Sequence, residues 1–150
     1  MKLSPIVTAG VVVGCFVTAV AYAAPDDSDA SSAEALGPGT VTVVVDIEHS
    51  SFEPSFLRVV EGTEVRFVVS NHDPIGHELI VGPPEVHDRH RNGTEAHHAA
   101  KPGEVSVGPD EQAVTTYVFD QPGVVEMACH LPGHYAYGMR GEIEVVAADS

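Results

Sequence analysis

The sequence contains no tryptophan, only two cysteines (Cys15 and Cys129), and few cations. Lys and Arg number 7 against 22 Asp and Glu, leaving a formal net charge of −15 with histidine neutral. Nucleic-acid binding needs basic patches, which so few cations do not supply, so no nucleic-acid partner is expected. No long window shows a 3.6-residue apolar period, which argues against a helical bundle. A secreted domain braced by disulfides would show an even set of cysteines, and this chain does not once its N-terminal segment is set aside. A length of 150 residues accommodates one domain with a real core and is short for two.

Long apolar runs are also scarce, and the notable one lies at the start. Residues 6–21 are almost wholly apolar, Lys2 precedes them, and Ala21-Tyr22-Ala23 offers the small-x-small pattern of a signal-peptidase site. Residues 1–23 therefore read as a secretory signal peptide; the run is short for a membrane span, which takes about 20 residues. Two other readings of the segment stay open. One is an uncleaved membrane anchor. The other is a lipoprotein signal, because Val12-Val13-Gly14-Cys15 resembles a bacterial lipobox. The protein is thus expected to be exported to the periplasm or the extracellular space, with an N-terminal membrane tether as the variant. Cleavage removes Lys2 and no acid, so the mature chain is more acidic still. It also leaves Cys129 alone. A single thiol in an oxidising compartment is a liability unless something occupies it, and metal ligation is one such occupation.

Residues 24–39 are rich in acid and serine and close on Gly37-Pro38-Gly39, the composition of a disordered linker. From residue 40 the chain turns to short β-rich runs between turn residues: 40–47, 56–60, 63–70, 77–81, 112–119, 124–128 and 140–146. Seven or eight strands at this spacing predict an all-β fold over residues 40–150, an antiparallel Greek-key β-sandwich. Residues 82–104 interrupt the pattern with Gly, Pro, His and charge. They read as a long His-rich insertion, a loop that is either functional or mobile.

The strongest signal is the run Cys129-His130-Leu131-Pro132-Gly133-His134-Tyr135-Ala136-Tyr137-Gly138-Met139. It sets a thiolate, an imidazole and a thioether in one loop between two strands, so three donors can reach one point. Soft sulfur combined with imidazole selects copper, and two histidines, a cysteine and a distant axial methionine make the type 1 set. The second histidine must come from elsewhere. His77 qualifies, since it opens a strand right after the turn Asn71-His72-Asp73-Pro74-Ile75-Gly76.

These two segments together resemble the cupredoxins, over roughly residues 40–147. Residues 71–81 are similar to the stretch carrying that family's first histidine. Residues 129–139 are similar to its C-terminal ligand loop, in the version with four residues between Cys and His and four between His and Met. That version resembles rusticyanin-like and sulfocyanin-like members more than plant plastocyanin. The resemblance implies one type 1 copper ion on His77, Cys129, His134 and Met139, and an electron path through the exposed edge of His134. It also implies an apolar docking patch of Leu131, Pro132, Tyr135, Ala136 and Tyr137. Asn71 matches a position that steadies the loop around the cysteine sulfur. The expected protein is a monomeric blue-copper electron carrier rather than an enzyme. Its expected partners are redox proteins such as a c-type cytochrome or a copper oxidoreductase.

An oxidase reading fails on the residues. The C-terminal signature of multicopper oxidases has histidines on both sides of the cysteine, and here Ala128 stands in the preceding place. The chain also lacks any His-x-His pair. His130 is then expected to face solvent or to support the site from outside. His87, His90, His97 and His98 could gather a second metal ion from the insertion, which would make the protein a copper-binding, delivery or resistance factor. The plainer reading is a solvated polar loop. His49 and His72 are expected at the surface.

Overall fold

The computed structural model describes residues 34–93 and 99–148. The signal-peptide segment, most of the linker, and His97 and His98 lie outside the described residues. In chain order the elements are β1 (Thr40–Glu48), β2 (Ser51–Glu53), β3 (Phe56–Val60), β4 (Thr63–Asn71), β5 (His77–Gly82), α1 (Pro84–Asn92), β6 (Glu104–Val107), β7 (Gln112–Phe119), β8 (Gly123–Ala128) and β9 (Arg140–Val146). Strand alternation explains the strongest of them. In β4, Val65, Phe67 and Val69 are fully buried, while the intervening Glu64, Arg66 and Val68 face outward or lie half-buried.

Two sheets form a sandwich. One runs β2-β1-β4-β7 and the other β3-β9-β8-β5-β6. Their inner faces meet in one core, with Val45, Ile47, Val65 and Phe67 from the first sheet against Val59, Leu79, Met127, Ile143 and Val145 from the second. The all-β sandwich expected from the sequence is the observed architecture. It is not antiparallel throughout: β1 pairs with β4 and β3 with β9 in parallel. Each parallel pair joins strands that are not consecutive in the chain, a crossover that period-two alternation does not report.

Three local expectations change. Residues 82–104 are not simply a loop, because α1 occupies 84–92 and β6 begins at Glu104. Pro84 at the first helical turn accepts the fixed φ of a helix start, Glu85 lies in that turn, and Arg89, His90 and Arg91 lie in the last. These charges complement the helix dipole and compensate for a helix with little apolar surface. Helix α1 packs on β5, all six residues of which are buried. The end of the acidic linker is also ordered: the Leu36 N–H donates to the Arg58 carbonyl (2.8 Å), and its own carbonyl accepts from the Val60 N–H (2.8 Å). Finally, a short β2 pairs with the end of β1. Among the described residues, no helix is long and apolar enough to cross a membrane.

Candidate metal centre

The antiparallel pairing of β5 and β8 sets Ile80 opposite Ala128. The start of β5 and the end of β8 therefore share one end of the sheet, which brings His77 and Cys129 together although they are far apart in sequence. From Cys129 the chain folds back in successive tight turns to β9. The His134 N–H donates to the Leu131 carbonyl (3.0 Å), and the Tyr137 N–H donates to the Gly133 carbonyl (3.0 Å). Gly133 (φ 88°) and Gly138 (φ 98°) take the left-handed conformation that lets so short a loop turn on either side of His134.

Three donor atoms converge there. The Cys129 Sγ lies 3.3 Å from His134 Nδ1, and His77 Nδ1 lies 3.2 Å from the same atom. All three lie within 4.8 Å of one another. Met139 is tied to both partners through its backbone: its N–H donates to the His134 carbonyl (3.0 Å), and its carbonyl accepts from the Cys129 N–H (3.1 Å). His77, Cys129 and Met139 are buried, whereas His134 is half-buried.

A shell of hydrogen bonds fixes these groups. His77 Nε2 lies 2.9 Å from Asp73 Oδ2. That carboxylate holds the ring proton on Nε2 and leaves the Nδ1 lone pair for a metal. Burial pushes the Asp73 carboxyl up, but the Ser50 and His49 N–H groups and His77 outweigh it, so its pKa is lowered. Asn71 works on the His77 side: its amide donates to the carbonyls of Ile75 (2.7 Å) and Gly108 (2.9 Å), and its Oδ1 accepts from the Asp73 N–H (3.0 Å).

The electrostatics fit a soft cation. Burial pushes the Cys129 thiol up to about 11, and the backbone bonds of Glu78 and Leu131 recover only part of the shift. A thiol so placed stays protonated at neutral pH until a positive charge stands beside it, and a bound metal ion supplies that charge. Burial, with His77 alongside, lowers the pKa of His134 and so favours the neutral imidazole a metal needs. Two imidazoles and one thiolate, with the buried Met139 tied to the same loop through its backbone, are donors suited to copper.

The insertion histidines stand elsewhere. His90 Nε2 lies 2.9 Å from Glu104 Oε2, and Arg89 pairs with the same carboxylate group. His87 is buried, with Nε2 at 3.1 Å from the Gly82 carbonyl and 3.2 Å from that of Glu126. The residue that sequence reasoning placed least well is His130. It does not simply face solvent: its ring lies among His87, His90 and Tyr135, at centroid distances of 5.1, 6.3 and 5.2 Å. Burial and the nearby His87 push its pKa down to about 4. Neighbouring residues of an extended chain point to opposite sides, so a residue following an inward thiol must face outward toward whatever covers the sheet. His49 and His72 are at the surface, the latter 2.9 Å from Asp46.

The family model for copper binding proteins of the plastocyanin/azurin family matches residues 39–146. The chain is 32% identical over 109 residues to the copper-resistant cuproprotein CopI of Rubrivivax gelatinosus, covering 71% of this chain and 66% of that one. It is 26% identical to the CopI of Pseudomonas aeruginosa, covering 90% of this chain and 93% of that one. Among solved structures, auracyanin A, a blue copper protein of Chloroflexus aurantiacus, superposes with a TM-score of 0.58 at 22% identity, over 72% of this chain and all of that one.

Proposed function

Because the chain belongs to the plastocyanin/azurin family of copper-binding proteins, we propose that it is an exported single-copper cupredoxin that carries one electron at a time between partner proteins. His77, Cys129 and His134 would hold the ion, with Met139 as the weak axial donor. The observation that carries this reading is the convergence of one thiol and two imidazole nitrogens in a buried, hydrogen-bonded frame. Copper bound there supplies a one-electron couple between its cuprous and cupric forms. The protein's part is to keep the donors still and dry, so that little moves when the charge changes. Asp73 holds His77, and the backbone bonds of Met139 hold the loop closed.

His134 is the half-exposed member of the set and so the natural exit for an electron. In the same loop, Pro132 and Ala136 are exposed, and so is Tyr137 (90% exposed), whose N–H donates to the His134 carbonyl (3.2 Å); they would make an apolar rim of the kind transient partners use. The partners that suit this rim and the acidic chain are redox proteins with a basic face, such as a c-type cytochrome or a copper oxidoreductase. A carrier needs no substrate position on the metal, and four protein donors would leave none.

A second reading is copper resistance, favoured by the identity to copper-resistant cuproproteins. Titration of the exported protein with Cu(II), followed by visible absorption and EPR, tests both. One copper with an intense thiolate charge-transfer band, absent in Cys129→Ser, is the expected result; a colourless wild type would overturn the ligand assignment. Repeated reduction and oxidation without copper loss supports the carrier. Ready transfer of the ion to an acceptor supports copper handling.

A further inference from the structure

Under helix α1 lies a carboxylate that the electron-carrying role has not used. Glu78 follows His77 in β5 and is 2% exposed. Strand alternation sends its side chain to the face of the sheet opposite His77, where α1 packs on β5. Its Oε1 accepts from the His130 N–H at 2.8 Å, the first peptide after Cys129. Its Oε2 lies 3.7 Å from His90 Nδ1 on α1. His90 Nε2 in turn lies 2.9 Å from Glu104 Oε2, and Glu104 also receives the exposed Arg89. A polar chain thus runs from the peptide beside the ligand thiol, through Glu78 and His90, to the surface of the helix.

A neutral amide could accept the same N–H. Burying an acid there costs more, because a carboxylate gives up more hydration. What the acid adds is a negative charge close to the thiol. Burial is the largest reason the Cys129 thiol stands at about 11, and the Glu78 charge acts in the same direction. A cupric ion carries one positive charge more than a cuprous ion, so a fixed negative charge beside the centre favours the cupric form. Under the helix that charge is poorly screened, which strengthens its effect.

We propose that Glu78 is a positioning residue of the metal centre, acting in two ways. Its carboxylate pins the start of the ligand loop through the His130 N–H, and its charge holds the reduction potential of the bound copper down. The second part rests on the copper reading proposed above, whereas the first holds for the metal-free chain as well. Helix α1 is then the cover that keeps this charge away from water, with His90 closing over its outer oxygen. The insertion thereby serves the metal centre without binding a metal ion itself.

The test compares the wild type with Glu78→Gln, Glu78→Leu and Asp120→Asn. Asp120 is an exposed acid in the turn before β8, at the end of that strand away from Cys129, so its variant removes the same unit of charge far from the loop. In metal-free protein, amide exchange at His130 should be as slow in Glu78→Gln as in the wild type. It should be at least roughly tenfold faster in Glu78→Leu, which has no acceptor. In copper-loaded protein, Glu78→Gln should keep the thiolate band and shift the cuprous-to-cupric ratio at least tenfold, a potential higher by about 59 mV. Asp120→Asn should match the wild type. Equal His130 exchange in Glu78→Leu and the wild type overturns the positioning of the loop. A potential in Glu78→Gln that is unchanged or lower, or matched by Asp120→Asn, overturns the effect of the charge. Glu78→Gln keeps shape and acceptor, so its potential decides the proposal should Glu78→Leu fail to fold. A wild type without the thiolate band overturns the ligand assignment and the charge effect with it, while the exchange measurement still decides whether Glu78 holds the loop.

Discussion

Asp73 holds three groups at once: His77 Nε2 and the backbone N–H groups of His49 and Ser50, each of the latter at 2.8 Å. His49 (φ 53°) and Ser50 (φ 55°) form the turn between β1 and β2 in the left-handed region without a glycine. Such a turn is costly for ordinary residues, and the carboxylate offsets that cost. Asp73→Ala is expected to lower stability by about 1–3 kcal/mol through two unpartnered N–H groups and a freed His77, read by denaturant unfolding of the metal-free protein. Ser50→Gly in the same background should restore part of the loss. Met139→Leu tests a different function of a single side chain. The swap nearly conserves volume and should cost under about 1.5 kcal/mol. It removes the sulfur that favours the cupric form, so voltammetry should give a higher reduction potential than in the wild type.

Among the elements, α1 depends most on side-chain anchors. Its residues are largely polar, and Glu104 at the start of β6 receives both Arg89 and His90. Burial raises the Glu104 pKa, but the bond from His90 and the charges of Arg89, His90 and Lys101 lower it more. A carboxyl whose folded pKa is depressed contributes stability above its unfolded pKa and loses it as pH falls through the folded value. The anchor of α1 should therefore be intact at neutral pH and weaken below the usual carboxylate range. Glu104→Gln should remove that acid dependence and loosen the helix by roughly 1–2 kcal/mol, since one face of the pair is exposed. Amide hydrogen exchange across residues 84–92 reads both effects. Exchange in that segment no faster than in the wild type would show that packing on β5 alone holds the helix.

Over the whole molecule, charge and shape would divide the work of meeting the redox partner proposed above. A formal charge of −15 gives a long-range field that favours a basic face. The apolar rim proposed beside His134 would supply the close contact. Electron-transfer rates with a basic redox protein should therefore fall as ionic strength rises from about 0.01 to 0.15 M, where the screening length shrinks from about 30 to 8 Å. A rate independent of salt, measured by stopped-flow, would assign docking to the rim alone.

The copper-type donor loop was legible in the amino-acid order because Cys129, His134 and Met139 are neighbours along the chain, and local spacing is what a sequence displays. Strand runs such as Val65, Phe67 and Val69 were legible for the same reason, since each writes its own inward face. The pairing of those strands was not. Alternation marks a face but names no neighbour, so the parallel contacts of β1 with β4 and β3 with β9 emerged only from packing. Helix α1 escaped notice because it buries His87 rather than an apolar stripe. The outward environment of His130 was equally hidden, since it is built by a helix far away in sequence. Chemistry held within one loop is a local property. The carboxylate behind His77 and the imidazole facing His130 depend on distant segments meeting, and that is fixed by how the two sheets and the helix close around a common core.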